Sequence, residues 1–169
     1  MEIVGLKHIK MTDEKLIIGI DGGGTTTRCV LFDSVGSTID IVNDKGSNIY
    51  VFKKEGVKTI LNVIKYILER NKINYQDIQA YGIGIAGISD LNFKEVLLKE
   101  FDRNKITNRT LLLSDAEAAF KILCPANEGI LINIGTGIVC FAKNKKGEIL
   151  KVGGNGHDKG DIGSGYWLG

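Results

Sequence analysis

Length and composition describe an ordinary folded protein. The chain has 169 residues, of which 43% are apolar and 25% charged, so it can hold one domain or two small lobes of a soluble globular protein. A formal net charge of +2 gives no sign of a nucleic-acid surface, and no stretch is apolar enough for a signal peptide or a membrane span. We therefore expect neither nucleic acid nor membrane as a partner.

The cysteines favour a reducing compartment. Cys29, Cys124 and Cys140 lie far apart in apolar surroundings, with the spacing of neither a metal site nor a redox pair. This pattern predicts buried free thiols. Free thiols persist where disulfides are kept reduced, so we expect a cytoplasmic protein.

The first part of the chain predicts a β-meander followed by a helix. Residues 1–15 are expected to form an N-terminal extension. Short apolar runs at 16–21, 28–33 and 36–42, joined by tight turns, predict three antiparallel strands. Apolar residues then recur at helical spacing, which predicts an amphipathic helix over residues 50–70.

Helices and strands then alternate. Ser114 and Glu117 have the spacing of a capping box and open a predicted helix that ends near Pro125. The last residues, 164–169, look like the first turn of another helix. The remaining predicted elements are a strand at 80–86, a helix at 91–101, a strand at 111–113 and strands at 130–134, 138–142 and 148–152.

This order predicts a mixed α/β fold with two lobes. The three antiparallel strands at the start differ from the β-α-β alternation of a dinucleotide-binding unit. After Pro125 the chain begins again with glycine-flanked strands that resemble its opening. We expect one lobe over residues 16–126 and the beginning of a second, similar lobe over residues 127–169.

A glycine-rich turn follows the first predicted strand. An Asp-Gly hairpin would explain Asp21 and the glycine after it, but not the further glycines and threonines. Bare backbone at a turn permits close approach of a ligand, and backbone N–H groups and hydroxyls can surround phosphate oxygens. An aspartate at a strand end can hold Mg²⁺. The predicted phosphate loop consists of Asp21, Gly22, Gly23, Gly24, Thr25, Thr26 and Thr27.

A second turn of the same kind lies in the second predicted lobe. The strand at 130–134 reaches Gly135, Thr136 and Gly137 and returns as another strand. One such bend is usually a hairpin turn only. Two bends, one near the start of each lobe, suggest a pair of phosphate-binding hairpins that face each other across a cleft.

Asp115 is the best candidate for a general base. It follows a short strand and would lie at a helix N-terminus, where the dipole favours the ionised carboxylate. A simple helix-capping role is the alternative and is slightly favoured by the local sequence alone.

The chain contains two other glycine-rich segments. Residues 82–87 match G-x-G-x-x-G, but they lie within an apolar strand after two hairpins, so close packing explains these small residues better than a dinucleotide site. Residues 153–165 form a bare polar loop suited to wrap a small polar molecule. His157, Asp158 and Asp161 in that loop make a poor metal site, because one histidine and no cysteine are available.

Together the motifs resemble the N-terminal half of N-acetylglucosamine kinases of the BadF/BadG/BcrA/BcrD ATPase family, within the actin-like ATPase superfamily. The resemblance covers nearly the whole chain from Leu16. It implies a ribonuclease H-like, actin-type ATPase lobe and phosphorylation of an amino sugar by ATP and Mg²⁺. The matching segments are Gly19–Thr27, Gly84–Gly87, Leu113–Ala119, Ile134–Gly137 and Gly160–Gly169.

The resemblance also implies roles for single residues. Asp21 would lie near Mg²⁺, and the two glycine turns would bind phosphates. Asp115 would take the proton from the sugar 6-hydroxyl. The implied sugar-binding residues are Asn48, Asp115, Thr136, Gly137 and Asp161.

The sugar and the assembly are left open by this comparison. Ile138, Val139, Asn155 and Ile162 stand where amino-sugar kinases of the family tend to have other residues, so N-acetylglucosamine and glucosamine both remain candidates. The chain covers about half of a typical member, which leads us to expect exposed apolar edges and self-association into a homodimer. The alternative functions are an activator ATPase of a 2-hydroxyacyl-CoA dehydratase and a non-catalytic sugar- or nucleotide-binding module.

Overall fold

Two β-sheets organise the chain. The computed structural model describes residues 15–88, 91–125, 128–135, 137–154 and 162–169. These residues form a mixed five-stranded sheet and an antiparallel three-stranded sheet, together with five helices. The mixed α/β architecture predicted from the sequence is confirmed.

The five-stranded sheet has the strand order β3-β2-β1-β4-β5. Its first three strands form the predicted antiparallel meander, whereas β4 runs parallel to β1 and β5 runs parallel to β4. The carboxyl ends of β1, β4 and β5 therefore meet at one edge of the sheet, where open α/β sheets bind their ligands. The strands are β1 (Leu16–Gly22), β2 (Thr26–Phe32), β3 (Thr38–Lys45), β4 (Ile78–Ile85) and β5 (Thr110–Leu113).

The single helix predicted over residues 50–70 is divided in two. Lys53 has a φ of +52°, which ends the short first helix and begins the long second one. A positive φ at a non-glycine residue cannot be predicted from hydrophobic periodicity, because the apolar pattern continues through the break. The helices are α1 (Ile49–Phe52), α2 (Lys54–Asn71), α3 (Leu91–Arg103), α4 (Asp115–Leu123) and α5 (Gly165–Leu168).

The second sheet consists of three antiparallel strands, β6 (Gly129–Ile134), β7 (Ile138–Lys143) and β8 (Ile149–Gly153). Several of its apolar side chains are exposed, among them Ile130 at 69% and Ile134 at 63%. The first two strands form the hairpin predicted around residues 135–137, and β8 adds to it by pairing with β7. The boundary between lobes near residues 126 and 127 stays a prediction, as does self-association through the exposed apolar surface.

The two faces of the large sheet differ. Alternate residues of β1 and β2, such as Ile18 and Leu31, are fully buried in a core that α2 and α3 complete with residues such as Ile64 and Phe101. The intervening residues of both strands point to the opposite face, which is only partly covered. The core thus lies on one side of the sheet and leaves the other side open.

Helix α4 connects the two sheets. It packs on β4 and β5 of the first sheet and on β6 and β7 of the second. Phe120 of α4 stacks on Phe141 of β7, with ring centroids 5.6 Å apart. Because α4 packs against both sheets, the position of its first residue, Asp115, is fixed.

The prediction of buried thiols holds for one cysteine. Cys29 is fully buried, and burial raises the pKa of its thiol to about 12, with a further contribution from Asp40, so the thiol stays protonated. Cys124 and Cys140 are only half-buried because the small second sheet covers them incompletely. Among the residues that the structure describes, no helix is both long and apolar enough to cross a membrane.

Replacing Glu117 by alanine should destabilise the protein near neutral pH by about 1 kcal/mol, the usual scale of a capping interaction. The Glu117 carboxylate accepts hydrogen bonds from the N–H and Oγ of Ser114, at 2.9 and 3.0 Å, and these bonds lower its pKa from the ordinary value of 4.5. A carboxyl with a lowered folded-state pKa stabilises above its unfolded-state pKa and loses that contribution as the pH falls through the folded-state value.

Urea unfolding of both proteins between pH 7 and pH 3 measures this effect. The difference in unfolding free energy should be constant above the ordinary pKa of glutamate and shrink at lower pH. A difference that stayed constant down to pH 3 would contradict the capping role.

Candidate functional site

The predicted phosphate loop is a hairpin turn with little cover. Gly22 ends β1, Thr26 begins β2, and the N–H of Gly23 donates to the carbonyl of Thr26 at 3.0 Å. Gly24, Thr25 and Thr26 are exposed. The turn therefore presents backbone and two threonine side chains at the ligand-binding edge of the sheet.

The segment between β3 and α1 lies directly against this turn. The carbonyl of Gly23 accepts hydrogen bonds from the N–H groups of both Ser47 and Asn48, each at 3.0 Å. A Cβ atom on Gly46 would lie 2.3 Å from the carbonyl oxygen of Gly24, a distance that no side chain can adopt. The close approach of two backbones thus explains why Gly46 is a glycine.

The end of β4 completes the same unit. The N–H of Ala86 donates to the carbonyl of Gly22 at 2.8 Å, and the carbonyl of Ala86 accepts from the N–H of Ile49 at 3.0 Å. Gly87 has a φ of +75°, and a Cβ atom there would lie 2.5 Å from Oδ1 of Asn48. Three chain segments are therefore joined by backbone hydrogen bonds, and each can approach only because glycines face the contact.

Asn48, the predicted sugar-binding residue, is held in this unit. Its Oδ1 accepts a hydrogen bond from the N–H of Val51 at 3.2 Å and caps α1. The side chain is half-buried. The capping bond fixes the orientation of the amide group, a requirement for selective hydrogen bonding to a hydroxyl.

A buried pair of hydroxyls lies beneath the turn. Thr27 and Ser47 are both fully buried, and Oγ1 of Thr27 lies 2.8 Å from both Oγ of Ser47 and the carbonyl oxygen of Lys45. Because a carbonyl only accepts, the Thr27 hydroxyl donates to Lys45, and the Ser47 hydroxyl donates to Thr27. The Thr27 hydroxyl therefore faces the protein interior, which does not support the predicted contact with a phosphate.

Asp21 and Asp115 lie at the same edge of the sheet. Asp21 pairs in register with Gly84 of β4, and Gly84 pairs with Leu113 of β5, two residues before Asp115. A Cβ atom on Gly84 would lie 3.2 Å from Cβ of Ala118 and 3.8 Å from Cα of Asp115. The bare β4 strand end thus lets the first turn of α4 approach the sheet.

Both aspartates line one groove of about 550 Å³ on the open face of the sheet. Its floor is mainly glycine and apolar side chains, and α4 forms one wall. Asp21 and Asp115 are both exposed. The other residues that define the groove include Gly19, Val30, Phe32, Gly82, Leu111 and Ile122.

The second predicted phosphate turn is tied to α5. The N–H of Gly135 donates to the carbonyl of Gly137 at 2.9 Å, and the carbonyl of Gly135 accepts from the N–H of Gly165 at 2.7 Å. Ser164 caps α5 and is fully buried. Thr136 and Asp161, two of the predicted sugar-binding residues, lie outside the described residues.

Asp21 is the residue at the groove that suits Mg²⁺. Within the described ranges, no three side chains of histidine, cysteine, aspartate or glutamate come together as a metal cluster. Mg²⁺ usually keeps several waters and binds through one or two carboxylates plus substrate phosphates. The exposed carboxylate of Asp21, next to the glycine turn, fits this mode of coordination.

Comparison with known proteins agrees with this geometry. The model of the BadF/BadG/BcrA/BcrD ATPase family matches residues 18–169. The chain belongs to this family. The family resemblance inferred from the motifs is thereby confirmed.

Named relatives of this family member are sugar kinases. The chain is 34% identical over 161 residues to an N-acetylmuramic acid/N-acetylglucosamine kinase of Clostridium acetobutylicum, covering 92% of this chain and 51% of the relative. It is 28% identical over 168 residues to an N-acetyl-D-glucosamine kinase of Dictyostelium discoideum, covering 92% and 52%. The chain thus spans about half the length of the relatives it matches.

Solved structures show the same fold. A provisionally named N-acetylglucosamine kinase from Chromobacterium violaceum superposes with a TM-score of 0.70 at 24% identity, covering 91% of this chain and 54% of that chain. A ROK family glucokinase from Streptomyces griseus, in complex with glucose and AMPPNP, gives a TM-score of 0.52 at 19% identity, covering 80% and 46%. The actin-like, sugar-kinase type of fold is confirmed.

The sequence analysis gave no joining role to Gly46, Ser47 or Gly87. Gly87 belongs to residues 82–87, which the sequence assigned to close packing, but only the contacts of these three residues with Gly22, Gly24 and Asn48 show what they do. The available signal was glycine at strand and loop ends, which marks close backbone approach.

Replacing Thr27 by valine should lower the free energy of unfolding by about 1–3 kcal/mol, because the change removes the hydrogen bond to the Lys45 carbonyl and takes away the acceptor of the buried Ser47 hydroxyl. Thr27→Ser retains the hydroxyl and should cost clearly less. Urea unfolding of the three proteins makes the comparison. Equal losses for the two variants would show that the methyl group, and not the hydrogen bonds, matters at this position.

Replacing Gly46 by alanine should destabilise the protein by about 1–3 kcal/mol, because the new methyl group would overlap the Gly24 carbonyl and push the two loops apart. Gly24→Ala is the matched control, since a Cβ atom there meets nothing within 4 Å. Thermal or urea unfolding should place the control within about 0.5 kcal/mol of wild type. A stable Gly46→Ala variant would contradict the close backbone contact.

Proposed function

We propose that this chain provides the phosphate- and sugar-binding lobe of an ATP-dependent kinase that phosphorylates an amino sugar, N-acetylglucosamine or glucosamine, at its 6-hydroxyl. One observation carries the proposal: Asp21 and Asp115 line the same groove at the carboxyl ends of parallel strands, beside a glycine turn joined to Asn48. Family membership and the named sugar-kinase relatives support it.

The nucleotide phosphates would bind at the exposed part of the first turn. The N–H of Gly24 and the hydroxyls of Thr25 and Thr26 would supply donors to phosphate oxygens, whereas the N–H of Gly23 already donates to the Thr26 carbonyl, so Gly22 and Gly23 would serve by letting the phosphates approach the backbone. Gly135 and Gly137 would form the second phosphate loop. Asp21 would hold Mg²⁺, which neutralises charge on the phosphates when it is bound. Thr27 would act by positioning the turn from within.

Asp115 would act as the general base. A Cβ atom on Gly84, which pairs directly with Asp21, would lie 3.8 Å from the Cα of Asp115, and both aspartates line the groove, so the γ-phosphoryl group and the sugar hydroxyl would meet beside the two carboxylates. As the hydroxyl oxygen forms its bond to the γ-phosphorus, the bond to the β–γ bridging oxygen breaks, ADP leaves, and the hydroxyl proton moves to the Asp115 carboxylate.

Sugar recognition would begin at Asn48. Its oriented amide lies at the junction of the three glycine-rich segments, next to the phosphate turn. Thr136, Gly137 and Asp161 would complete the sugar site. We further propose that residues 16–126 and 127–169 belong to two lobes, that the protein acts in the cytoplasm, and that it forms a homodimer.

The test is sugar-dependent release of ADP by this chain with MgATP and N-acetylglucosamine, glucosamine or glucose. Asp115→Asn should lower kcat by about 10²–10⁴-fold, the usual contribution of a general base. Asp102→Asn is the matched control, because Asp102 is an exposed carboxylate on α3 that does not line the groove. It should retain wild-type turnover.

Other outcomes point to other functions. Binding of ADP or sugar without phosphorylated product would favour a non-catalytic binding module. A brown iron–sulfur chromophore after anaerobic purification would favour an activator ATPase. Equal turnover by wild type and Asp115→Asn would contradict the assignment of the base while leaving the kinase itself in place.

A further inference from the structure

Arg28 faces the groove from the strand that leaves the phosphate turn. It pairs in register with Asp21 across the β1–β2 ladder, and both residues line the groove that contains Asp115. Its neighbours Thr27 and Cys29 are fully buried on the core face. Because side chains alternate along a strand, Arg28 must point to the opposite, open face.

The position of Arg28 is rigid. The backbone of β2 is hydrogen-bonded on both sides, with Arg28 opposite Asp21 in β1 and opposite Asn43 in β3. Directly opposed residues of antiparallel strands have Cβ atoms about 4.5–5.5 Å apart. The base of the Arg28 side chain is thus held close to that of the proposed Mg²⁺-binding carboxylate.

The groove contains few positive charges that could balance the negative charges of a bound nucleotide. Its charged lining residues are Asp21, Asp115, Arg28 and Lys121, and the rest of the lining is mainly apolar. None of the ion pairs found within the described ranges involves Arg28. A bound nucleoside triphosphate would bring several further negative charges to this edge, and a guanidinium can bind two phosphate oxygens at once.

Lys121 is less well placed for that role. It lies on α4 six residues after Asp115, which corresponds to about 9 Å along the helix, away from the strand ends. Arg28 lies two residues after Thr26, where β2 begins at the turn. Only one of the two cations is therefore next to the proposed phosphate site.

We propose that Arg28 binds the γ-phosphoryl group and stabilises the negative charge on its oxygens during transfer to the sugar. This inference rests on the proposed kinase function and adds to it a residue that recognises the γ-phosphate. In phosphoryl transfer the protein acts chiefly through positioning and charge neutralisation, and a well-placed arginine makes a large contribution. Arg28 neither gains nor loses a proton in the step.

The experiment compares Arg28→Gln, Arg28→Lys and the control Lys99→Gln, because Lys99 is an exposed lysine on α3 that does not line the groove. Affinities for MgATP and MgADP are measured by calorimetry, and kcat and KM by release of ADP. Arg28→Gln should lower kcat at least 30-fold with the KM for sugar within threefold of wild type. It should also reduce the ratio of MgATP to MgADP affinity at least tenfold, because ADP lacks the phosphate that Arg28 contacts. The kcat and the affinity ratio of Arg28→Lys should lie between those of wild type and Arg28→Gln, and those of Lys99→Gln should stay within twofold of wild type.

The outcomes separate this inference from the kinase function. If wild type turns over and Arg28→Gln matches Lys99→Gln in kcat and in the affinity ratio, the role of Arg28 is overturned while the kinase function stands. If wild type binds nucleotide without turnover, the affinity ratio alone decides. If wild type binds no nucleotide, both proposals are overturned. Circular dichroism and urea unfolding check the fold of each variant, and Arg28→Lys provides the test if Arg28→Gln does not fold.

Discussion

The candidate site depends on three chain segments whose backbones touch directly. The carbonyls of Gly22 and Gly23 accept hydrogen bonds from Ala86, Ser47 and Asn48, so the phosphate turn, the β3–α1 loop and the end of β4 form one unit. A Cβ atom on Gly22, Gly46 or Gly87 would overlap the neighbouring segment and push the segments apart. Glycine costs conformational entropy in such places, and the hydrogen bonds formed by close approach offset that cost. The proposed phosphate and sugar sites are consequently built on one framework.

The large sheet gives this framework its direction. Its core face is filled by α2 and α3, whereas its other face remains a groove between the strands and α4. Parallel pairing of β1, β4 and β5 brings Asp21 and the start of α4 to the same edge. Gly84 lets α4 approach, and the Ser114–Glu117 capping box fixes where that helix begins. Asp21 and Asp115 therefore face the groove because each lies at the carboxyl-terminal edge of the parallel strands.

Several features of the site lay beyond the reach of sequence patterns. The periodicity of apolar residues predicted one helix over residues 50–70, although the positive φ at Lys53 divides it. Thr27 belongs to a run of threonines that looks equivalent in sequence. In the structure its hydroxyl is turned inward to Ser47, whereas Thr25 and Thr26 lie at the surface. Local patterns describe neighbours along the chain, and the partner of Thr27 lies twenty residues away.

The sequence by itself determined the order of strands and helices, the two glycine turns and the family, because these are properties of contiguous segments and of their spacing. It also singled out Asp21 and Asp115, since each follows an apolar strand. Only the tertiary structure decided that both aspartates share a groove and that Arg28 faces it. Strand pairing and packing bring these residues together although they are distant along the chain. A local sequence pattern contains no information about such contacts.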